Sequence, residues 1–194
     1  MKNLLFTLAG VVIMASLAAQ TKTGSIKLLP PNLKRGTNVM QALQDRKSTR
    51  SFSDKELSPA DLSDLLWAAN GVNREDGRRT APSARNRQDV FVYVCQADGC
   101  YLYNAKEHTL EKVSDTDARW DKMAPTYLIL VANTNDAMTG VDIGVVSQNI
   151  SVFCAGTGLG TVCRAAIDKN VVPQALKLGE GYRAVISHPV GYPK

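Results

Sequence analysis

Arg46-Lys47-Ser48-Thr49-Arg50-Ser51-Phe52 holds the residue types best suited to chemistry. In an extended segment, side chains at i, i+2 and i+4 share one face. Arg46, Ser48 and Arg50 then line up as cation, hydroxyl, cation. Such a face can hold a phosphate at one end and an electron-rich heterocycle at the other. Taken alone, seven residues of this kind are more often a solvated basic stretch. A second group of cations, Arg74, Arg78, Arg79, Arg85 and Arg87, falls in a loop over 72–88 that is dense in Arg, Asn, Gly and Ser. Rimming a pocket, it would favour an anionic substrate; a solvated face is the commoner case.

Cys95 and Cys100 bracket Gln96-Ala97-Asp98-Gly99, which reads as a hairpin loop, and Cys154 and Cys163 bracket a Gly-rich bend. A Cys95–Cys100 bridge needs the two to sit opposite each other, and two buried thiols are the alternative. A Cys154–Cys163 bridge is less favoured. No metal site is expected, because there is no CxxC pair and the two histidines, His108 and His188, are far apart in sequence.

The elements that position these residues follow a leader. Lys2 gives a positive start, Leu4 to Leu17 is apolar apart from Thr7 and Ser16, and Ser16-Leu17-Ala18 offers a cleavage site. Residues 1–19 therefore read as a secretory signal peptide rather than a membrane span. Cleavage falls after Ala18 or after Ala19, and the expected location is periplasmic or secreted. No other run is apolar enough to span a membrane. Cutting after Ala18 leaves 176 of 194 residues and a formal charge of +4, since Lys2 is the only charged residue removed. That is one domain with room for a real core. The aromatic fraction of 6% and the lack of a long Lys/Arg run argue against nucleic acid as a partner.

Residues 20–36, with Pro30 and Pro31, read as an extended arm, and 37–194 as a single domain. Asn38 to Asp45 predicts a short helix burying Val39, Ala42 and Leu43. Ser58-Pro59-Ala60-Asp61 is a helix start with a Ser cap. Leu62, Leu65, Leu66 and Ala69 form its buried stripe, and Asn70-Gly71 ends it. Asp89 to Cys95 predicts a strand with a hairpin partner at Tyr101-Leu102-Tyr103. A polar helical stretch is expected over 115–122. Thr126 to Ala132 is a near-continuous apolar run, as a central strand requires. A long helix follows from about Asp136 to Thr157, burying Val141, Val145, Val146, Ile150 and Phe153. Then come a short helix over Pro173–Leu178 and a strand over Tyr182–His188. The class is α+β, with a mostly antiparallel sheet layered against helices.

Five segments match one family in order: RKSTRSF at 46–52, LLWAANG at 65–71, TAPSARNRQ at 80–88, DIGVVSQNISVFCAGTGLGTV at 142–162 and AVISHPVGYP at 184–193. On these the chain resembles the FMN-dependent nitroreductases, near the oxidases of thiazole and oxazole peptide synthesis. The resemblance implies an interlocked homodimer with FMN at the subunit interface, the long helix central to it. Arg46 matches the arginine at the FMN phosphate. Lys47 and Ser48 match positions near the ribityl chain and phosphate. Arg50 matches a basic position beside N1 and O2 of the flavin, where negative charge collects on reduction. Pro82, Ser83 and Ala84 match a loop at the flavin, and Asn86 an asparagine whose amide suits the pyrimidine edge. Cys163, Arg164, Ala165 and Ala166 fall in the turn over the flavin's other side, where a backbone N–H approaches N5.

Three departures stand out. Cys163-Arg164 replaces residues that are usually apolar, so Arg164 either alters the site or points away. Ala165 and Ala166 stand where glycine is common. At the C-terminus, relatives carry a basic tail that completes the phosphate site; here Lys194 substitutes, or Arg46 and Lys47 carry that load. The implied activity is an exported FMN-dependent oxidoreductase passing hydride or electrons from a donor such as NAD(P)H to a small-molecule acceptor by a ping-pong route. The alternative is an exported FMN-binding or redox-sensing protein without turnover.

Overall fold

Apolar runs that alternate between two cores set the architecture. The computed structural model describes residues 24–133 and 137–194. The leader expected over 1–19 and the helix start expected at Asp136 lie outside the described residues.

Seven strands form one antiparallel sheet: β1 (Ser25–Lys27), β2 (Phe91–Gln96), β3 (Gly99–Asn104), β4 (Thr109–Ser114), β5 (Thr126–Asn133), β6 (Gly160–Thr161) and β7 (Tyr182–Gly191). Their order is β1-β4-β3-β2-β5-β7-β6. Four helices surround it: α1 (Val39–Asp45), α2 (Pro59–Asn70), α3 (Thr139–Thr157) and α4 (Val171–Ala175). β5 is the hub. Its Leu128, Leu130 and Ala132 face the core shared with α2 and α3. Its Tyr127, Ile129 and Val131 face a second core covered by Ala118, Ala124 and α4. Burial on both faces is why its sequence shows no polar alternation.

The start of α2 follows its sequence signal. Ser58 Oγ accepts the Asp61 N–H at 3.1 Å, satisfying one of the first turn's open donors. Asp61 does more than cap: it also accepts from Arg35 and from the Tyr192 hydroxyl. Burial works against its charge, but hydrogen bonds from Ser58, Tyr192 and Arg35 hold its pKa down at about 2. The arm and the end of β7 are thereby tied to one helix start.

Five expectations are corrected. The arm contributes β1, whose Ile26 pairs with Leu110 of β4; neither strand has a strong apolar pattern of its own. In α1, Val39 is 67% and Leu43 46% exposed, and only Ala42 is buried. Ala42 packs on Gly156 of α3, where an added Cβ would lie 3.2 Å from its own. Residues 115–122 are not helical. Asp117 accepts the Arg119 N–H at 3.0 Å and holds its guanidinium, a local bond that competes with a helix. Along α3, Val141 is 54% exposed, and Val145 and Phe153 are half-buried. α4 also starts earlier than expected, because Asp168 accepts the N–H groups of Asn170 and Val171 at 2.8 and 2.9 Å.

Candidate functional site

The basic segment leaves α1 at Arg46, whose φ of −59° and ψ of 116° end the helix. It is then fastened from both sides. The Thr49 N–H donates to the Thr161 carbonyl at 2.8 Å, the Ser53 N–H to Tyr192 at 2.9 Å, and the Lys194 N–H to Ser51 at 3.2 Å. Thr49 turns inward onto Gly160, where an added Cβ would stand 2.7 Å from the Thr49 methyl. Only a glycine allows that approach. Arg46, Lys47, Ser48 and Arg50 are all exposed. No described side chain forms an ion pair or hydrogen bond with Arg46, Lys47 or Arg50. Asp45, the adjacent acid, turns instead to the Gln41 amide at 2.9 Å.

Arg46, Lys47 and Thr49 form one wall of a cleft of about 450 Å³. The opposite wall comes from the last turns of α3, through Ser151 and Cys154, and from Leu159 and Thr161. The size suits a small-molecule ligand. Ser48 and Arg50 do not line it, so the three-residue face expected from spacing is divided: Arg46 enters the cleft and the other two stand beside it.

The second group lies elsewhere. The Ala84 N–H donates to the buried Asp142 carboxylate at 3.0 and 3.2 Å. Ser83 Oγ accepts the Gln88 N–H at 2.9 Å. Arg85, Asn86 and Gln88 all have φ between 53° and 56°, and Asn86 takes its place on the surface with its side-chain oxygen 3.2 Å from Gln88 Nε2. Pro82, Ser83, Ala84 and Asn86 are thus anchored at the first turn of α3, whereas the cleft uses its last turns. Nine to twelve residues separate Asp142 from Ser151 and Cys154, roughly 14–18 Å at helical rise.

Residues 163–166 run beside β7. Arg164 and Ser187 exchange backbone hydrogen bonds at 2.9 and 2.8 Å, and Ser187 Oγ donates to the Ala166 carbonyl at 3.1 Å. Cys163, Ala165 and Ala166 are exposed. The Arg164 guanidinium is committed: it bonds Asp121 at 2.7 Å and lies 5.4 Å from the Trp120 ring. Burial opposes charge on Asp121, but the Tyr127 hydroxyl and Arg164 hold it below the usual carboxylate range.

A hydrogen-bonded chain missed from sequence joins these parts. Thr161 Oγ1 donates to the Pro189 carbonyl at 2.9 Å, so it accepts from His188 Nδ1 at 3.1 Å. That fixes the proton on Nδ1 and leaves Nε2 to accept from Ser147 Oγ at 2.8 Å. Ser147 Oγ also lies 3.3 Å from the Cys163 sulfur. His188 is fully buried, and burial pulls its pKa down to about 4. The sequence signal for it was a histidine inside a largely apolar strand.

Residues 43–192 match the Nitroreductase family. A Methanocaldococcus jannaschii protein carrying a nitroreductase name is 28% identical over 162 residues, 70% of this chain and 82% of that one. A crystal structure from Ralstonia eutropha JMP134, also carrying a nitroreductase name, superposes with a TM-score of 0.82 at 32% identity, covering 88% of this chain and 90% of that one. An FMN-dependent nitroreductase from Clostridium difficile R20291 shares the fold, with a TM-score of 0.58 at 19% identity over 80% and 90% of the two chains.

Proposed function

The chain belongs to the nitroreductase family, and from that premise we propose that it is an exported, homodimeric FMN-dependent oxidoreductase. It would take hydride from a donor such as NAD(P)H and pass electrons to a small-molecule acceptor in a second, separate encounter. The observation that carries the reading is the fastened segment whose exposed cations have no acidic partner among the described residues, at the edge of a ligand-sized cleft.

The residues present fit the cofactor. Arg46 and Lys47 supply charge-assisted donors for the phosphate, and the Thr49–Thr161 hydrogen bond holds them in place. Arg50, next along the segment, is the cation for the pyrimidine edge of the ring. When bound, FMN supplies hydride acceptance and release. The protein orients it, balances its charge and limits solvent access. Arg164, held by Asp121 and Trp120, braces residues 163–166 and is not assigned to the donor.

Two observations support a dimer. Pro82, Ser83, Ala84 and Asn86 sit at the opposite end of α3 from the cleft, so a second chain is the natural recipient of that loop. Val39, Met40 and Leu43 of α1 and Val141 of α3 are exposed apolar residues, and Gly140 and Gly144 leave open space along α3. An apolar surface of this kind marks an interface.

The deciding experiment is an absorbance spectrum of the mature protein with and without added FMN, followed by anaerobic NADH and NADPH. Bound flavin that bleaches supports the reductase. Flavin that binds and stays oxidised with both donors favours the non-catalytic reading. A colourless protein that binds no FMN would overturn both.

A further inference from the structure

Cys95 and Cys100 are directly opposed in the β2–β3 hairpin, where their Cα atoms are register partners. Both residues are fully buried, and their Sγ atoms are 3.1 Å apart. Their neighbours are Ala118, Ala124 and Tyr127 of the second core, with the Thr116 carbonyl 3.3 Å from Cys100 Sγ. Among the described residues no group of His, Cys, Asp or Glu there could complete a metal site. The other two cysteines are placed differently. Cys154 is buried in the first core. Cys163 meets Ser147, two helical turns from Cys154 along α3.

We propose that Cys95 and Cys100 are joined as a cross-strand disulfide in the exported protein. The proposal rests on the reading of residues 1–19 as an export signal, because an oxidising compartment is where such a pair is joined and kept. The oxidant is a disulfide, either a protein dithiol–disulfide catalyst or a small-molecule disulfide. One cysteine thiolate attacks an oxidant sulfur and expels the other as a thiolate, giving a mixed disulfide. The second cysteine thiolate attacks the first cysteine's sulfur and expels the remaining oxidant thiolate. Two protons and two electrons leave the pair, its S–S bond forms as the oxidant's breaks, and the oxidant departs as a dithiol (the protein catalyst) or as two thiols (the small molecule).

Burial sets the timing. A hairpin closed by so short a loop forms early and locally, while the cover from Ala118 and Ala124 comes from later in the chain. The exchange therefore belongs to the stage before the second core closes. Afterwards both sulfurs are sealed from solvent, so an oxidant no longer reaches a pair that folds reduced, and it stays reduced. The redox state of the hairpin is a record of where the chain folded.

The test uses the natural chain. Protein isolated from the non-cytoplasmic fraction is denatured in an alkylating reagent and digested with trypsin. The peptide 88–106 carries both cysteines and no other. It should resist alkylation and be about 2 Da lighter than its reduced form, two hydrogens having been lost. Alkylation at both cysteines would overturn the proposal. The N-terminal mass reports separately whether the leader was removed. Should no exported protein be found, denatured and reduced chain is refolded in oxidised glutathione. A bridged 88–106 peptide then supports the pair, and two glutathionylated or free cysteines reject it whatever becomes of the export reading.

Discussion

Two basic stretches of this chain are alike in composition and opposite in circumstance. In the loop over 72–88, Arg78 pairs with Asp76 at 3.1 Å and Arg87 with Asp89 at 3.4 Å. Arg74 is held by Asn73 and by the Arg79 carbonyl. Arg79 is half-buried, its Nε has no hydrogen-bond partner among the described residues, and burial lowers its pKa. In the segment over 46–51 the backbone is fixed by Thr161 of β6 and by the terminal Lys194, while Arg46, Lys47 and Arg50 meet no acid among the described residues. The first stretch spends most of its charge on its own loop. The second is rigid in the main chain and uncommitted in the side chains, which is the condition for receiving an anion from outside.

The largest expected difference separates the two directly. Replacing Arg46 and Lys47 together by alanine removes two charge-assisted contacts, about 3 kcal/mol or more, hence over about 100-fold in FMN affinity. Fluorescence titration measures it. The double replacement of Arg74 and Arg78 should leave that affinity within about twofold, and an equal loss in both variants would abolish the distinction.

Next comes pH. Unfolded, the His188 imidazole binds its proton below about 6.5; folded, only below about 4. The unfolded state holds more protons in that window, so stability is complete above pH 6.5 and falls as the pH drops to 4. The loss is about 3 kcal/mol, read from urea midpoints across the range. His188→Gln should flatten the profile, whereas Arg78→Ala should leave it unchanged.

Glycines sharpen the contrast further. Gly160→Ala drives a Cβ into Thr49, costing about 1–3 kcal/mol and weakening FMN binding with it. Gly77→Ala, in the arginine loop at a φ of 79° with open space around it, should cost about 1 kcal/mol of backbone strain and no affinity. Smallest of all, Arg78→Ala breaks an exposed pair and should shift stability by less than about 0.5 kcal/mol.

The sequence foretold what is local. The Ser58 cap, the stripe of α2, the apolar run of β5 and the facing of Cys95 and Cys100 each depend on residues within one element or hairpin. The order of the five matching segments carried the family. What escaped depends on partners far away. β1 is a strand only because β4 is there to pair with it. Arg164 finds Asp121 from 43 positions away, so its direction could not be read from residues 163–166. Val39 and Leu43 look like core because an apolar residue that awaits a partner has the same pattern as one already covered. Spacing placed Arg46, Ser48 and Arg50 on one face, but the end of α3 decides which of them reaches the cleft.

The hydrogen bonds that fasten the basic segment come from Thr161 and Tyr192, residues synthesised long after Thr49 and Ser53. The wall of cations therefore cannot exist on a nascent chain. It is assembled only when the last strand arrives, so in the proposed flavoprotein cofactor loading would follow translation rather than accompany it. A chain that crosses a membrane unfolded would carry no flavin with it and would depend on whatever supply exists on the far side.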